Sequence, residues 1–246
     1  MTRSSPAFLR LAGHPVRWRL LSALAGSDLR VRELVRLVEE PQNLVSYHLR
    51  LLRDGGLVTA TRSTMDARDS YYHLDLDRCG LGLADTGGAL HPALRHRPVD
   101  DSSGPFPHVA VLFACTGNSA RSPIAEALLR AATGGQVEVA SAGSRPRPET
   151  HAEAVRVLRD DYDLDIAGRR PRHLDTVTAR RFDLVVTLCD KAREACPEFA
   201  GHPRRIHWSI AEPTTPEAFA STARDIHVRV NHLVSVLKSL REGQSP

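Results

Sequence analysis

The sequence predicts two domains of different class: a mainly α-helical domain ending in a β-hairpin, then an α/β domain whose parallel sheet is flanked by helices. Three observations carry this. The chain has 246 residues, more than one typical domain and fewer than three. Residues 79–107 lose periodicity, with Gly80, Gly82, Gly87, Gly88, Pro92, Pro98, Gly104, Pro105 and Pro107 set among Asp100, Asp101, Ser102 and Ser103, and so read as a linker. The apolar pattern has helical spacing before that stretch and alternates between strand-like runs and helical segments after it. The expected boundaries are therefore 1–78 for the first domain, 79–107 for the linker and 108–242 for the second domain.

In the first domain, residues 8–25 carry Leu9, Leu20, Leu21 and Leu24 on a helical pattern broken at Gly13 and Pro15. Residues 31–38 place Leu34, Val35 and Val38 on one face. Residues 43–53 give a third helix, with Leu44, His48, Leu49, Leu51 and Leu52 recurring and Gly55 and Gly56 as its stop signal. Two short strand-like runs, 57–61 and 70–74, are joined by the charged tip 62–69. Helix, helix, helix, hairpin is the order of a winged helix-turn-helix.

In the second domain, residues 109–114 form a continuous apolar run fit for a buried parallel strand, and 123–132 are helical with Pro123 near the first turn. Further strands are expected at 137–142, 184–188 and 205–210, and further helices at 152–158, 191–196 and 219–240. Alternation of this kind builds a parallel sheet with both faces covered.

Composition limits the function classes. Hydrophobic residues at 41% and charged residues at 25% exclude wholesale disorder and a fibrous architecture. No apolar run approaches the roughly 20 residues that span a bilayer. Arg3 and Arg10 precede no apolar segment with a cleavage site, so no membrane partner and a cytoplasmic location are expected. There the four cysteines, Cys79, Cys115, Cys189 and Cys196, read as catalytic or metal-binding rather than as staples. The net charge of +4 allows a polyanionic partner without requiring one.

The most specific feature is Cys115-Thr116-Gly117-Asn118-Ser119-Ala120-Arg121-Ser122, between the first strand and first helix of the second domain. At a helix N-terminus such a loop curls its backbone N–H groups around one centre, where the dipole favours an anion. Thr116, Gly117, Asn118, Ser119, Ala120 and Arg121 are the expected oxyanion-binding residues. Gly117 permits tight curvature, and the Arg121 guanidinium can grip two oxygens of a tetrahedral oxyanion. The same field stabilises a Cys115 thiolate, giving an activated nucleophile beneath the bound anion, with Ser122 closing the loop. The competing reading makes Cys115 a small buried residue at a strand end and Arg121 a surface charge.

Residues 113–129, with Ser141-Ala142-Gly143 and Val185-Val186-Thr187-Leu188-Cys189, resemble the thioredoxin-coupled arsenate reductases, which share the low-molecular-weight protein tyrosine phosphatase fold. The resemblance covers residues 109–240 and implies a redox-active disulfide relay. Cys189 would attack the Cys115 arsenic adduct, and Cys196 would then attack Cys189 and carry the disulfide outward to thioredoxin or to another thiol redoxin, such as the one that works with mycothiol. No tightly bound cofactor is implied. A disulfide needs Cα atoms within about 7 Å, whereas residues seven apart on an intact helix are roughly 10 Å apart, so the segment must loop or unwind. Two buried cysteines with no relay is the alternative. Glu212-Pro213 stands where the family has the general acid Asp-Pro, and a solvated Glu is the competing reading. Thr214 and Thr215 stand where phosphatases of this fold carry tyrosines, which argues against an aryl substrate. Asn118, Glu126, Ser141 and Asp175 match positions resembling the potassium site of some of these reductases. Asn118 can equally hold the loop by hydrogen bonds, and Glu126 can be a solvated helix residue.

Leu11-Ala12-Gly13-His14-Pro15-Val16-Arg17, Val45-Ser46-Tyr47-His48-Leu49-Arg50-Leu51-Leu52 and Gly55-Gly56-Leu57-Val58 resemble the ArsR/SmtB repressors, over residues 7–74. The resemblance implies a homodimer on a double-stranded DNA operator, with Gln42, Asn43, Ser46 and Tyr47 at base edges and Arg50, Arg62 and Arg68 at phosphates. His48 fits a DNA contact or a core position. Where arsenic-sensing members have Cys-Val-Cys, this chain reads Arg30-Val31-Arg32, so that thiol sensor is absent. The combined expectation is an arsenic-resistance fusion of a transcriptional regulator with an arsenate reductase. The alternatives are a tyrosine phosphatase tethered to a DNA-binding module, and a repressor that senses an oxyanion without turnover.

Overall fold

The computed structural model describes residues 5–66, 68–94, 106 and 108–239. The chain divides into two compact units, Met1–Asp100 and Asp101–Pro246. The parts of the expected linker at 95–105 and 107, and the expected domain end at 240–242, lie outside the described residues.

The first unit contains α1 (Ala7–Ala12), α2 (Pro15–Leu24), β1 (Leu29–Arg30), α3 (Val31–Val38), α4 (Gln42–Asp54), β2 (Val58–Arg62), β3 (Ser70–Leu74) and α5 (Leu76–Leu90). Pro15 opens α2, and the His14 side chain caps it by accepting the Val16 N–H at 3.2 Å. Leu20, Leu34, Val45, Leu49 and Leu52 are fully buried and join the three helices into one core. The hairpin β2–β3 is antiparallel and is extended by β1 on the β3 side.

Of the linker expected at 79–107, residues 79–90 lie within α5. Asp75 caps this helix by accepting the Arg78 N–H at 2.9 Å. Gly82 is there for close approach, since a Cβ would stand 2.7 Å from the Phe8 ring. No residue of α5 is fully buried, and its partly buried positions, Cys79, Gly82 and Thr86 among them, carry no large apolar side chain, so it lacks the apolar stripe by which a helix is recognised.

The second unit contains β4 (Ala110–Cys115), α6 (Arg121–Ala132), β5 (Glu138–Gly143), α7 (Ala152–Tyr162), β6 (Leu184–Thr187), α8 (Asp190–Glu194), β7 (Arg204–His207) and α9 (Pro216–Ser239). The sheet order is β5-β4-β6-β7, every pair parallel. On β4, Val111, Phe113 and Cys115 face one core with α6, α7 and α9, while Leu112 and Ala114 face a second with Leu174, Val177, Phe182 and Phe199. Burial on both faces explains why this strand is an unbroken apolar run. A 3-10 turn, Leu174–Val177, and irregular chain cover the second face. Two elements are shorter than expected: β7 ends at His207, and α8 ends at Glu194, short of Cys196. The carboxyl ends of β4 and β6 bring Cys115 and Cys189 to the same edge, where parallel sheets gather their active residues. Among the described residues no helix is long and apolar enough to cross a membrane.

Candidate active site and DNA-reading helix

β4 ends at Cys115 and α6 begins at Arg121, so the residues between must turn within a single tight loop. The segment after β5 holds this loop from outside through four backbone bonds: Ser144 to the Cys115 carbonyl at 3.1 Å, Arg145 to Thr116 at 2.8 Å, Arg147 to Gly117 at 2.9 Å and His151 to Ser119 at 2.8 Å. In a trans peptide the N–H that follows each carbonyl points the other way, so carbonyls bonded outward leave N–H groups turned inward. One of them is observed at work: the Asn118 N–H donates to Cys115 Sγ at 3.2 Å. Ser122 Oγ lies 3.0 Å from the same sulfur.

Asn118 carries the loop's left-handed residue, at φ +45°, a conformation asparagine tolerates better than most side chains. Its amide nitrogen donates to Ser122 Oγ and Ser141 Oγ, both at 2.9 Å, and its carbonyl accepts the Arg172 N–H at 2.9 Å. Of the two readings open for Asn118, holding the loop is the one this geometry supports. Gly143 completes the fit: a Cβ there would stand 2.6 Å from the Thr116 carbonyl oxygen.

Above Cys115 lies a cavity of about 230 Å³, floored by Cys115, Gly117, Ser119, Ala120 and Arg121. Arg121 is buried, donates to the Ile210 carbonyl at 2.8 Å and stands 3.8 Å from the Glu212 carboxylate. Arg147, His151, Glu212, Pro213, Thr214 and Phe219 complete the lining, with the His151 ring stacked on Phe219 at 4.4 Å. Two residues expected to bind the oxyanion point elsewhere with their side chains: Asn118 inward, and Thr116 toward Cys189, its Oγ1 being 3.3 Å from Cys189 Sγ. Sequence reasoning missed Arg147, His151 and Phe219; only the Ser141-Ala142-Gly143 motif hinted that the segment after β5 belongs to the site.

Cys189 is buried at the N-terminus of α8. The next residue, Asp190, is buried and accepts from Ser209 Oγ at 2.9 Å, with His207 Nε2 at 3.2 Å. Cys196, half-buried, follows the end of α8 and packs against the second core. Burial pushes the Cys196 thiol above its ordinary value, with nearby Arg205 pulling it down and Glu198 adding to the rise. Each of the four cysteines is a thiol.

Each of the four residues matched to a potassium site has a protein partner. Glu126 is fully buried, but its Oε1 is paired with Arg130 at 2.9 Å and also with Arg169; only Oε2 is left without a hydrogen-bond partner. Asn118 and Ser141 bond to each other, and Asp175, highly exposed, pairs with His173 at 3.2 Å. The fold brings guanidinium groups to the place where a hard cation was expected, and their charge meets that of the carboxylate.

In the first unit, Gln42, Asn43, Ser46, Tyr47 and Arg50 lie exposed along α4, while Val45, His48, Leu49 and Leu52 turn inward. Arg62 and Arg68 are exposed on the hairpin. His48 is a core residue: its ring lies 4.4 Å from that of His14, and burial, with His14 and Arg17 nearby, holds its pKa below the ordinary histidine value. Arg30 and Arg32, in the place of the sensor cysteines, pair with Asp69 of the hairpin at 3.6 and 3.2 Å.

A parallel sheet that delivers a cysteine into an anion-cradling loop, opposite a carboxylate and beneath an arginine, defines a cysteine-nucleophile oxyanion domain. Residues 110–244 match the family described as low molecular weight phosphotyrosine protein phosphatase, and residues 14–60 match the bacterial regulatory protein, arsR family. The chain belongs to the low molecular weight phosphotyrosine protein phosphatase family, preceded by an arsR-family helix-turn-helix. Arsenate reductase 1 of Bacillus cereus is 35% identical over 107 residues, 44% of this chain and 78% of that protein. Arsenate reductase 2 of Staphylococcus saprophyticus is 37% identical over 106 residues, 42% of this chain and 77% of that one. The low molecular weight protein tyrosine phosphatase of T. tengcongensis superposes with a TM-score of 0.47 at 28% identity, covering 52% of this chain and 99% of its own.

Proposed function

We propose that this chain is a bifunctional arsenic-resistance protein, an operator-binding regulator fused to an arsenate reductase. One observation carries the reductase half: a second cysteine, Cys189, is placed against the nucleophile's own loop, 3.3 Å from Thr116 Oγ1, with a third, Cys196, just past the end of the short helix. A phosphatase has no use for either. The names of the two bacterial relatives agree with this reading.

The chemistry is a two-electron relay. The Cys115 thiolate attacks the arsenic of arsenate held by the loop N–H groups and Arg121, and one oxygen leaves as water, protonated with the help of Glu212. Ser122 steadies the sulfur. The Cys189 thiolate then attacks Cys115 Sγ: the S–S bond forms, the S–As bond breaks, and its electron pair reduces As(V) to As(III), released as arsenite. The Cys196 thiolate attacks Cys189, freeing Cys115 as thiolate, and a dithiol redoxin, of the thioredoxin type or working with mycothiol, reduces the Cys189–Cys196 disulfide. Four free thiols suit the reducing cytoplasm this requires. No step uses potassium.

In the regulator half, Gln42, Asn43, Ser46 and Tyr47 read base edges while Arg50, Arg62 and Arg68 grip phosphates. The half works as a homodimer, which the exposed apolar residues Leu9, Leu81, Leu83, Leu90 and Leu94 of its terminal segments support.

The test is arsenate-dependent NADPH oxidation coupled through thioredoxin and its reductase, run on the full chain. Cys115→Ser is expected to lose both arsenate reduction and aryl phosphate hydrolysis, by about 10³-fold or more. Cys189→Ser and Cys196→Ser are expected to lose only the reduction. Aryl phosphate hydrolysis with no arsenate turnover in the unaltered chain would make it a phosphatase, and loss of both activities alongside arsenate-sensitive operator binding would make it an oxyanion-sensing repressor.

A further inference from the structure

Arg147 has no part in the chemistry described above, yet it lines the same cavity as Cys115. Its backbone N–H bonds the Gly117 carbonyl at 2.9 Å, and its stem lies across that glycine, such that a Cβ on Gly117 would stand 3.4 Å from Arg147 Cγ. From there the guanidinium pairs with Glu212 Oε1, on another segment of the lining, at 3.0 Å, while Glu212 Oε2 stands 3.8 Å from the buried Arg121. Arg147, Glu212 and Arg121 thus form one chain of alternating charge running from the rim to the anion site.

We propose that Arg147 determines substrate size in this site: its bridge to Glu212 is a bar across the mouth that admits a free inorganic tetrahedral oxyanion and turns away an ester carrying an aryl group. This rests on the reductase reading and sharpens it. A free oxyanion passes without an apolar tail, and when it takes Arg121 the second guanidinium remains within reach of its outward oxygens. An aryl ester must hold its ring where the bridge lies, which separates Arg147 from Glu212 and covers both charges with apolar surface. Both side chains are more than half exposed, so the bridge is easily opened by itself. The discrimination comes from the cost of burying two separated charges under the ring, not from the strength of the pair.

The experiment compares the full chain with Arg147→Ala and Arg147→Lys. Two quantities are measured: kcat/KM for p-nitrophenyl phosphate, and the inhibition constant of inorganic phosphate against that hydrolysis. Neither needs the cysteine relay, so they report on the mouth whether or not arsenate is reduced; NADPH-coupled arsenate turnover by the unaltered chain separately decides the reductase reading. Arg147→Ala is expected to raise kcat/KM for the aryl ester multiplied by the phosphate inhibition constant by about tenfold or more, the scale of a steric discrimination in a pocket. Arg147→Lys, which keeps a cation able to meet Glu212, is expected to stay within about threefold of the unaltered chain. A product that rises less than this in Arg147→Ala, with the melting temperature unchanged, overturns the proposal, as does an aryl esterase gain that Arg147→Lys shows equally.

Discussion

The loop of residues 115–122 and the segment of residues 189–196 hold the three cysteines of the proposed relay, and they are built differently. Around the loop, four backbone bonds from the segment after β5 fix the carbonyls, Asn118 spends its whole side chain on three bonds, and Gly143 lets the backbone of β5 pack directly against the loop. The segment of residues 189–196 is held chiefly by burial of side chains: Cys189, Asp190 and Ala192 are buried and Cys196 packs against the second core. Cys189 rests against Thr116 and its neighbour Asp190 against His207 and Ser209, but α8 is five residues long and Cys196 lies on irregular chain beyond it. So short a helix gains little from cooperativity and comes apart readily. Charge development on an oxyanion calls for dipoles already in place, whereas handing a disulfide from one sulfur to the next calls for chain that can shorten the distance.

The largest effect expected from breaking the contrast is at Asn118. Asn118→Ala removes three hydrogen bonds and puts alanine at φ +45°, so kcat/KM for arsenate and for an aryl phosphate should both fall by about 10²-fold, the usual consequence of misplacing a reacting group by an ångström. Asn118→Gly relieves the backbone without restoring the bonds and should recover only part of the loss. Steady-state kinetics on both substrates measures this, and an Asn118→Ala chain with near-normal activity would mean the loop is not held as described.

A second prediction concerns the far end of this segment. The thiolate is the attacking species, and burial holds the Cys196 proton on to higher pH than usual. Raising the pH toward that elevated value should therefore accelerate transfer of the disulfide from Cys115–Cys189 to Cys189–Cys196 by about tenfold per unit, the slope of a thiolate fraction below its pKa. Single turnovers without redoxin, quenched by alkylation and read by peptide mass spectrometry, should show the first disulfide accumulating at low pH. A transfer rate flat with pH would place another step, such as opening of α8, in control.

What was legible in the sequence follows the same division. Cys115, Gly117, Asn118 and Arg121 were readable because strand, loop and helix are contiguous there, and the third helix was readable because Val45, Leu49 and Leu52 recur at helical spacing. Arg147, His151 and Phe219 were not, because the fold brings them to the cavity from outside that contiguous stretch and no local pattern marks them. Helix α5 was hidden because it buries no side chain fully and carries glycines that read as turns, although Gly82 serves close approach to Phe8. The surroundings of Glu126 were hidden for a related reason: oxygen-bearing residues are visible one by one, while the arrival of Arg130 and Arg169 at Glu126 depends on packing.

The smallest effect sharpens the comparison most. Ser209 donates to the buried Asp190 carboxylate at 2.9 Å and takes no part in lining the cavity. Ser209→Ala leaves Asp190 with His207 but loses one bond to a buried charge, which costs about 1–3 kcal/mol of stability. If this cluster anchors the Cys189 end of the relay, the loss falls on that cysteine, one residue away, and not on Cys115. Arsenate reduction should then drop by about fivefold, the equivalent of the lower end of that range, with aryl phosphate hydrolysis unchanged. Both activities and the melting temperature are measured on the same preparation. An equal fall in the two activities would show that Ser209 and Asp190 brace the whole sheet edge, and that the cradle and the relay are not held independently.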